Sequence, residues 1–424
     1  MYPENIEYLS PEEWRQWQLE LLQSTINRVY QRVPFYRKLM DQIGVKPDEV
    51  KELDDLQRLP FTTREHLAEN YPYDLFAVPL RDIVRLHAFP GPKQPVVKGF
   101  TTRDLKAIRQ LTARFLHNCG VGSDDIVQIC LDPGMSIWIE ELKEGAENLG
   151  ALVIPPDPQS SSHRIRIMRD FRTTVLITTP SYALHLLHLM KEKGLRPPES
   201  LKLAILVGED VTPEDRLRLE QGFNLTIRLG YGITEVIGPG MGYECEKKNG
   251  YHLAADYFLA EIVHPETGKP LPVGELGELV ITTLAVKANP LIRFRTGDLA
   301  RFIPEPCSCG RTTPRILIEG RCDGRVSIRG IKVSLQYIEA LLMEVYHHLP
   351  EYLLCIRKRD YLEELELWIA INERLFEPSI LGLHQVAERF ERRFEEIFGL
   401  PCRVKLVEKA HLEQMSQGQK VLRV

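Results

Sequence analysis

From residue 102 to residue 230, short apolar runs alternate with amphipathic stretches, and that alternation leaves few folds open. The apolar runs are DIVQICL, ALVIP, TTVLITT and LKLAILVGE, with helical patterns at 102–119, 138–149 and 164–171 around them. Strands joined by helices make a largely parallel sheet, so an α/β fold is expected. Ahead of it, 11–42 reads as helix, with Trp14, Trp17, Leu21, Leu22, Ile26 and Tyr30 at helical spacing and Pro34 placed to interrupt or end it. Residues 256–284 read as antiparallel strands with turns at ETG and VGELG, a small barrel after the main sheet. Beyond about 324, strand and helix alternate in a small α+β domain. A chain of 424 residues has room for two or three such units.

The formal net charge is −5 and no basic block stands out, which speaks against nucleic-acid binding. The apolar runs are far shorter than a membrane span. Met1 leads into Pro3, Glu4 and Glu7, not into a basic-then-apolar leader, so the cytoplasm is the expected compartment. Eight cysteines in such a chain read as thiols or metal ligands before disulfides.

The stretch LGYGITEVIGPG, from Leu229 to Gly240, carries the chemistry. After an apolar lead-in, Gly230 and Gly232 are expected to turn the backbone tightly beside a ligand. Thr234 and Glu235 follow, a hydroxyl and a carboxylate, which suit a phosphate and its Mg²⁺. A solvated turn is the plainer reading of these residues alone. Two further runs change the weighting: RFRTGD (293–298) and EGRCDGRVSIRG (319–330).

Together these runs resemble the adenylate-forming superfamily, in particular its phenylacetate–CoA ligase and coenzyme F390 synthetase group. The likeness extends to the N-terminal VPFYRKL, LQRLPFTTREHL and NYPYDLFAVP. It implies an N-terminal AMP-binding domain over 1–322 and a mobile C-terminal lid over 323–424. It implies ATP or AMP, Mg²⁺ and CoA as cofactors and a small carboxylic acid as substrate; the oligomeric state is not fixed, and a homodimer stays open. Carried over position by position, Thr234 would hold the α-phosphate and Glu235 the Mg²⁺. Asp298 would accept both ribose hydroxyls, and Gly208, Glu209 and Asp210 would form the adenine-side loop. Tyr231, Gly232 and Arg321 would complete the nucleotide site. Arg293 and Arg295, beside Asp298, read equally well as structural ion-pair partners.

Three departures stand out. The family's phosphate loop, roughly Ser-Ser-Gly-Thr-Thr-Gly-Lys-Pro, is replaced by Phe89-Pro90-Gly91-Pro92-Lys93-Gln94-Pro95, without a hydroxyl and with three prolines that lack N–H donors. Hydrogen bonds to a charged group contribute roughly 1.5–3 kcal/mol each, so losing two weakens triphosphate binding on the order of a hundredfold. The acyl-pocket stretch reads ICLDPGMSI (129–137) and lacks the family's aromatic residues, which puts an aryl acid in question. The catalytic-lysine position holds Gln419, with Lys420 one residue late as its substitute.

Cys245, His252, Cys307 and Cys309 form a Cys₃His set of the kind that binds Zn²⁺. Its halves lie 55 residues apart, which makes spacing alone a weak signal; the ECE…GYH and PCxCGRT patterns match a zinc-binding subset of the resembled family, which implies a closed structural site. Two functions follow. One is an acid–CoA ligase that forms an acyl-adenylate and then a thioester. The other is a degenerate relative that keeps the AMP half of the site and binds AMP, an acyl-adenylate or CoA as a regulatory or assembly subunit.

Overall fold

The structure, a computed structural model, describes residues 6–90, 94–156, 160–371, 380–416 and 419–423. The expected helix at 11–42 is two helices, Pro11–Arg32 and Pro34–Ile43, because Pro34 lacks the N–H that would continue the first. Ser10 and Glu13 cap the first helix reciprocally.

An 11-stranded sheet runs in the order Phe258–Val263, Gly277–Thr283, Phe294–Phe302, Arg315–Arg321, Tyr251–Leu253, Ile237–Glu244, Thr226–Ile233, Leu203–Val207, Val175–Thr178, Ile126–Cys130 and Leu152–Ile154. The last five are mutually parallel. Leu203–Val207 is buried along its whole length, as a parallel strand covered on both faces should be. The antiparallel unit expected as a small barrel instead continues this sheet. The change of direction comes at the hairpin of Thr226–Ile233 with Ile237–Glu244.

That hairpin also corrects the expected role of its glycines. Gly230 and Gly232 lie inside the strand, and residues 234–236 make the turn. A Cβ on Gly232 would stand 1.9 Å from the Gly238 carbonyl oxygen, and one on Gly230 2.6 Å from Phe115. These glycines are required by close packing.

The chain after Arg321 forms a short hairpin, Val326–Ile328 with Ile331–Val333, and a four-stranded sheet in the order Cys402–Glu408, Leu362–Ile371, Tyr352–Arg359, Val421–Arg423. The helices Leu335–Tyr346 and Ile380–Phe398 pack on it. Phe390, Phe394 and Phe398 recur on one face of the second helix and are buried. Among the described residues no helix is long and apolar enough to cross a membrane.

Candidate active site

A cavity of about 680 Å³ lies between the large sheet and the Val326–Val333 hairpin. It sits past the carboxyl ends of the parallel strands, where such sheets bind ligands. Gly208, Glu209, Asp210, Tyr231, Gly232, Thr234, Glu235, Asp298 and Arg321 all line it. Residues scattered over more than a hundred sequence positions thus share one space, as the resemblance implies.

Their partners are specific. The Trp138 indole N–H donates to Thr234 Oγ1 at 3.2 Å. Asp298 accepts from the Tyr231 hydroxyl at 2.7 Å on one oxygen and from Arg321 on the other. Burial and Asp298 together push the Tyr231 hydroxyl well above its ordinary pKa, so it stays a donor. Glu209 accepts from the Ser181 backbone N–H at 3.0 Å and its hydroxyl at 2.9 Å, which ties the loop to the helix Pro180–Glu192. Gly208 takes a positive φ of 84° there. Arg293 pairs with Glu261 and Arg295 with Glu278, so both are structural.

Glu235 is held by Arg64 Nε and, at 3.5 Å, by Arg325 Nη1, both on Oε1. Burial alone would raise its pKa; the two guanidinium groups win and bring it down to about 2. Arg325, Asp323, Arg321 and Asp298 extend this into a chain of alternating charges. A carboxylate oxygen suits Mg²⁺ by type, but here its partners are two arginines. The expected Mg²⁺ role of Glu235 therefore does not fit this arrangement: a divalent ion would stand against two positive charges.

Lys420 is not brought to the site. Its ammonium pairs with Glu339 and stands 5.6 Å from the centre of the Tyr352 ring. Lys93, in the altered phosphate loop, falls outside the described residues; Ala88, Phe89 and Pro90 just before it line the cavity. Sequence reasoning missed Arg64, Arg325 and Lys332, which also line the cavity. Arg64 sat in a stretch noticed only for its likeness, and nothing local marks it as a partner of a residue 171 positions away.

A second cluster lies elsewhere. The ligand atoms of Cys245, His252, Cys307 and Cys309 all fall within 4.8 Å of one another. Cys245 Sγ and Cys307 Sγ are 3.7 Å apart, and Cys309 Sγ is 3.5 Å from His252 Nε2. Tetrahedral Zn–S bonds of about 2.3 Å require sulfur separations of about 3.8 Å, so the donor set fits Zn²⁺. Thr313 Oγ1 meets His252 Nδ1 at 2.9 Å and leaves Nε2 facing the sulfurs. Burial, with Arg311 and Arg315, lowers the imidazole pKa to about 4, so the ring is neutral as a ligand must be.

A cavity past the carboxyl ends of the parallel strands, closed by a separate two-stranded hairpin of the C-terminal part, fits the class of adenylate-forming enzymes. Comparison with known proteins agrees with it. The AMP-binding enzyme model matches residues 145–286, and the AMP-binding enzyme C-terminal domain model matches 330–424. The phenylacetate-coenzyme A ligase of Thermus thermophilus is 37% identical over 440 residues, covering 100% of this chain and 99% of the relative. That of Escherichia coli is 34% identical over 406 residues, covering 95% and 92%. The chain belongs to the phenylacetate–coenzyme A ligase family of AMP-binding enzymes. Among solved structures, 2-hydroxyisobutyryl-CoA ligase with 2-HIB-AMP and CoA in the thioesterification state matches at TM-score 0.90 and 25% identity, covering 100% of this chain and 94% of that one. The same ligase in an open conformation, with the same ligands, reaches 0.70, covering 96% and 92%.

Proposed function

We propose that the protein is an acid–coenzyme A ligase. A carboxylic acid and ATP give an acyl-adenylate and pyrophosphate, and the CoA thiol then displaces AMP. The observation that carries this reading is the single cavity in which the ribose-type carboxylate Asp298 and the Thr234 hydroxyl face a hairpin of the C-terminal part. Asp298 would accept the ribose hydroxyls and Thr234 would donate to the α-phosphate. Gly208, Glu209, Asp210, Tyr231 and Gly232 would enclose the base and sugar. Arg321 would hold Asp298 in place.

The chain would divide into a body over 1–322 and a lid over 323–424 that turns between half-reactions. Its agreement with the thioesterification state supports a lid set here for the second half. Lys420 would reach the nucleotide only with the lid turned. Mg²⁺ would enter with ATP, with no ligand set assigned. Zn²⁺ would be structural, since four protein donors leave no open position. A thiol-rich metal cluster and a CoA substrate suit the cytoplasm.

Phenylacetate is the first acid to test, and Trp138 supplies one aromatic wall in place of the residues absent from 129–137. The test is pyrophosphate exchange over a panel of carboxylic acids, followed by CoA-dependent AMP release. Exchange with one acid supports the ligase. The lost hydroxyls of the phosphate loop and Gln419 favour the second reading, a nucleotide-binding subunit. AMP bound as tightly as ATP, with no exchange for any acid, would establish that one instead.

A further inference from the structure

Thr234 and Glu235 stand in the turn 234–236, between the strands Thr226–Ile233 and Ile237–Glu244. Side chains from remote segments fasten it. The Trp138 indole donates to the Thr234 hydroxyl, and Arg64 holds the Glu235 carboxylate. Lys98, in the strand Val96–Thr101, takes the backbone itself: its ammonium donates to the Val236 carbonyl at 2.5 Å and to the Thr234 carbonyl at 3.3 Å. Lys98 is 3% exposed and is not among the residues that line the cavity, whereas Thr234 and Glu235 are. An ammonium removed from water is costly, and an apolar side chain of like volume often serves stability as well or better. Ion pairing does not account for it. Among the described residues no carboxylate forms an ion pair with Lys98; Glu141, Glu235 and Asp104 act on it from further off, and the Phe100 ring centre is 5.2 Å away. What the ammonium grips is the turn.

We propose that Lys98 is a positioning residue for adenylation, holding the turn so that the Thr234 hydroxyl meets the α-phosphate. This rests on the ligase reading above. In that half-reaction a carboxylate oxygen bonds to the α-phosphorus. The bond from phosphorus to the bridging oxygen breaks, and its electron pair leaves on pyrophosphate. Lys98 touches none of these atoms. It fixes the backbone that carries Thr234, and a displacement of about 1 Å there costs on the order of a hundredfold in rate. The strand that carries Lys98 also leads out of the altered phosphate loop, 89–95. That loop offers no hydroxyl, so the placement of the Thr234 hydroxyl matters more.

The test compares two variants on one background: Glu141→Leu with Lys98→Met, and Glu141→Leu with Lys98→Gln. Both remove the buried charges, and the glutamine amide keeps an N–H for a carbonyl. Pyrophosphate exchange with the accepted acid should fall about tenfold to a hundredfold in the methionine variant, although it melts no lower than the parent. The glutamine variant should be at least about threefold faster than the methionine variant, and matched melting temperatures show that folding is not the cause. Equal rates in the two variants, or a methionine variant as fast as the parent, overturn the proposal. If the parent exchanges pyrophosphate with no acid, the ligase reading has failed, and AMP calorimetry on the same variants decides. Affinity at least about threefold weaker with methionine than with glutamine supports the grip on Thr234, and equal affinities refute it.

Discussion

Lys98 is a charge placed where water barely reaches it: the residue is 3% exposed, and its ammonium donates to the carbonyls of Val236 and Thr234 at 2.5 and 3.3 Å. Burial lowers its pKa to about 8 against the pull of Glu141 and Glu235. Burial likewise raises Glu141, under Gly238, to about 7 against the pull of Lys98. The signs combine in one window. The unfavourable term at Lys98 is complete below pH about 8 and fades as pH rises toward 10.5. That at Glu141 is absent below 4.5 and complete above about 7. Replacing both by apolar residues, Lys98→Met with Glu141→Leu, should therefore raise the melting temperature most between pH about 7 and 8 and less on either side. Lys98→Met alone, which leaves Glu141 buried without the nearby positive charge, should be less stable in chemical unfolding than the double variant. A double variant that melts lower than the parent at pH about 7.5 would contradict this. Neither residue was legible as a pair, because Lys98 lies in a strand and Glu141 in a helix more than forty positions on. By contrast Thr234, Glu235 and Asp298 were legible through the runs LGYGITEVIGPG and RFRTGD that carry the family resemblance. Their partners were not.

At the scale of elements, sequence marked where helices begin better than where strands go. Ser10 with Glu13 and Thr101 with Asp104 are capping boxes written in local sequence, and the helices start where they say. Strand order depends on pairings across the fold, so the antiparallel strands from Phe258 onward looked like a separate barrel when they extend the main sheet. The metal cluster lies between these cases. Its four residues were readable, while their convergence depends on strands Ile237–Glu244 and Tyr251–Leu253 meeting the loop at Cys307. Mass spectrometry of protein purified without chelator should find about one zinc per chain, and less than about half would count against the site. Thr313→Val, which frees the His252 ring, should weaken zinc affinity about tenfold to a hundredfold in a chelator competition.

For the molecule as a whole, the cavity is completed by the C-terminal part, whose Val326–Val333 hairpin lines it. Arg321, Asp323 and Arg325, around the proposed hinge, share ion pairs with Arg64, Glu235 and Asp298 of the body. That network ties the hairpin region to the body, and a lid that turns, as proposed above, would have to break the contact of Arg325 with Glu235. Small-angle scattering should show a profile close to this structure with CoA and a non-hydrolysable acyl-adenylate analogue, and a different one with ATP and Mg²⁺. Identical profiles under both conditions would rule out a turning lid. By itself the sequence determined the α/β class, because the alternation of apolar runs with amphipathic stretches acts between neighbours along the chain, while Thr234, Asp298 and the Cys₃His set were singled out through the family resemblance. Tertiary structure alone decided that Glu235 is held by arginines and that Lys420 points away. Those outcomes depend on distance through space, where charges from remote segments meet under low dielectric and settle which pairs form.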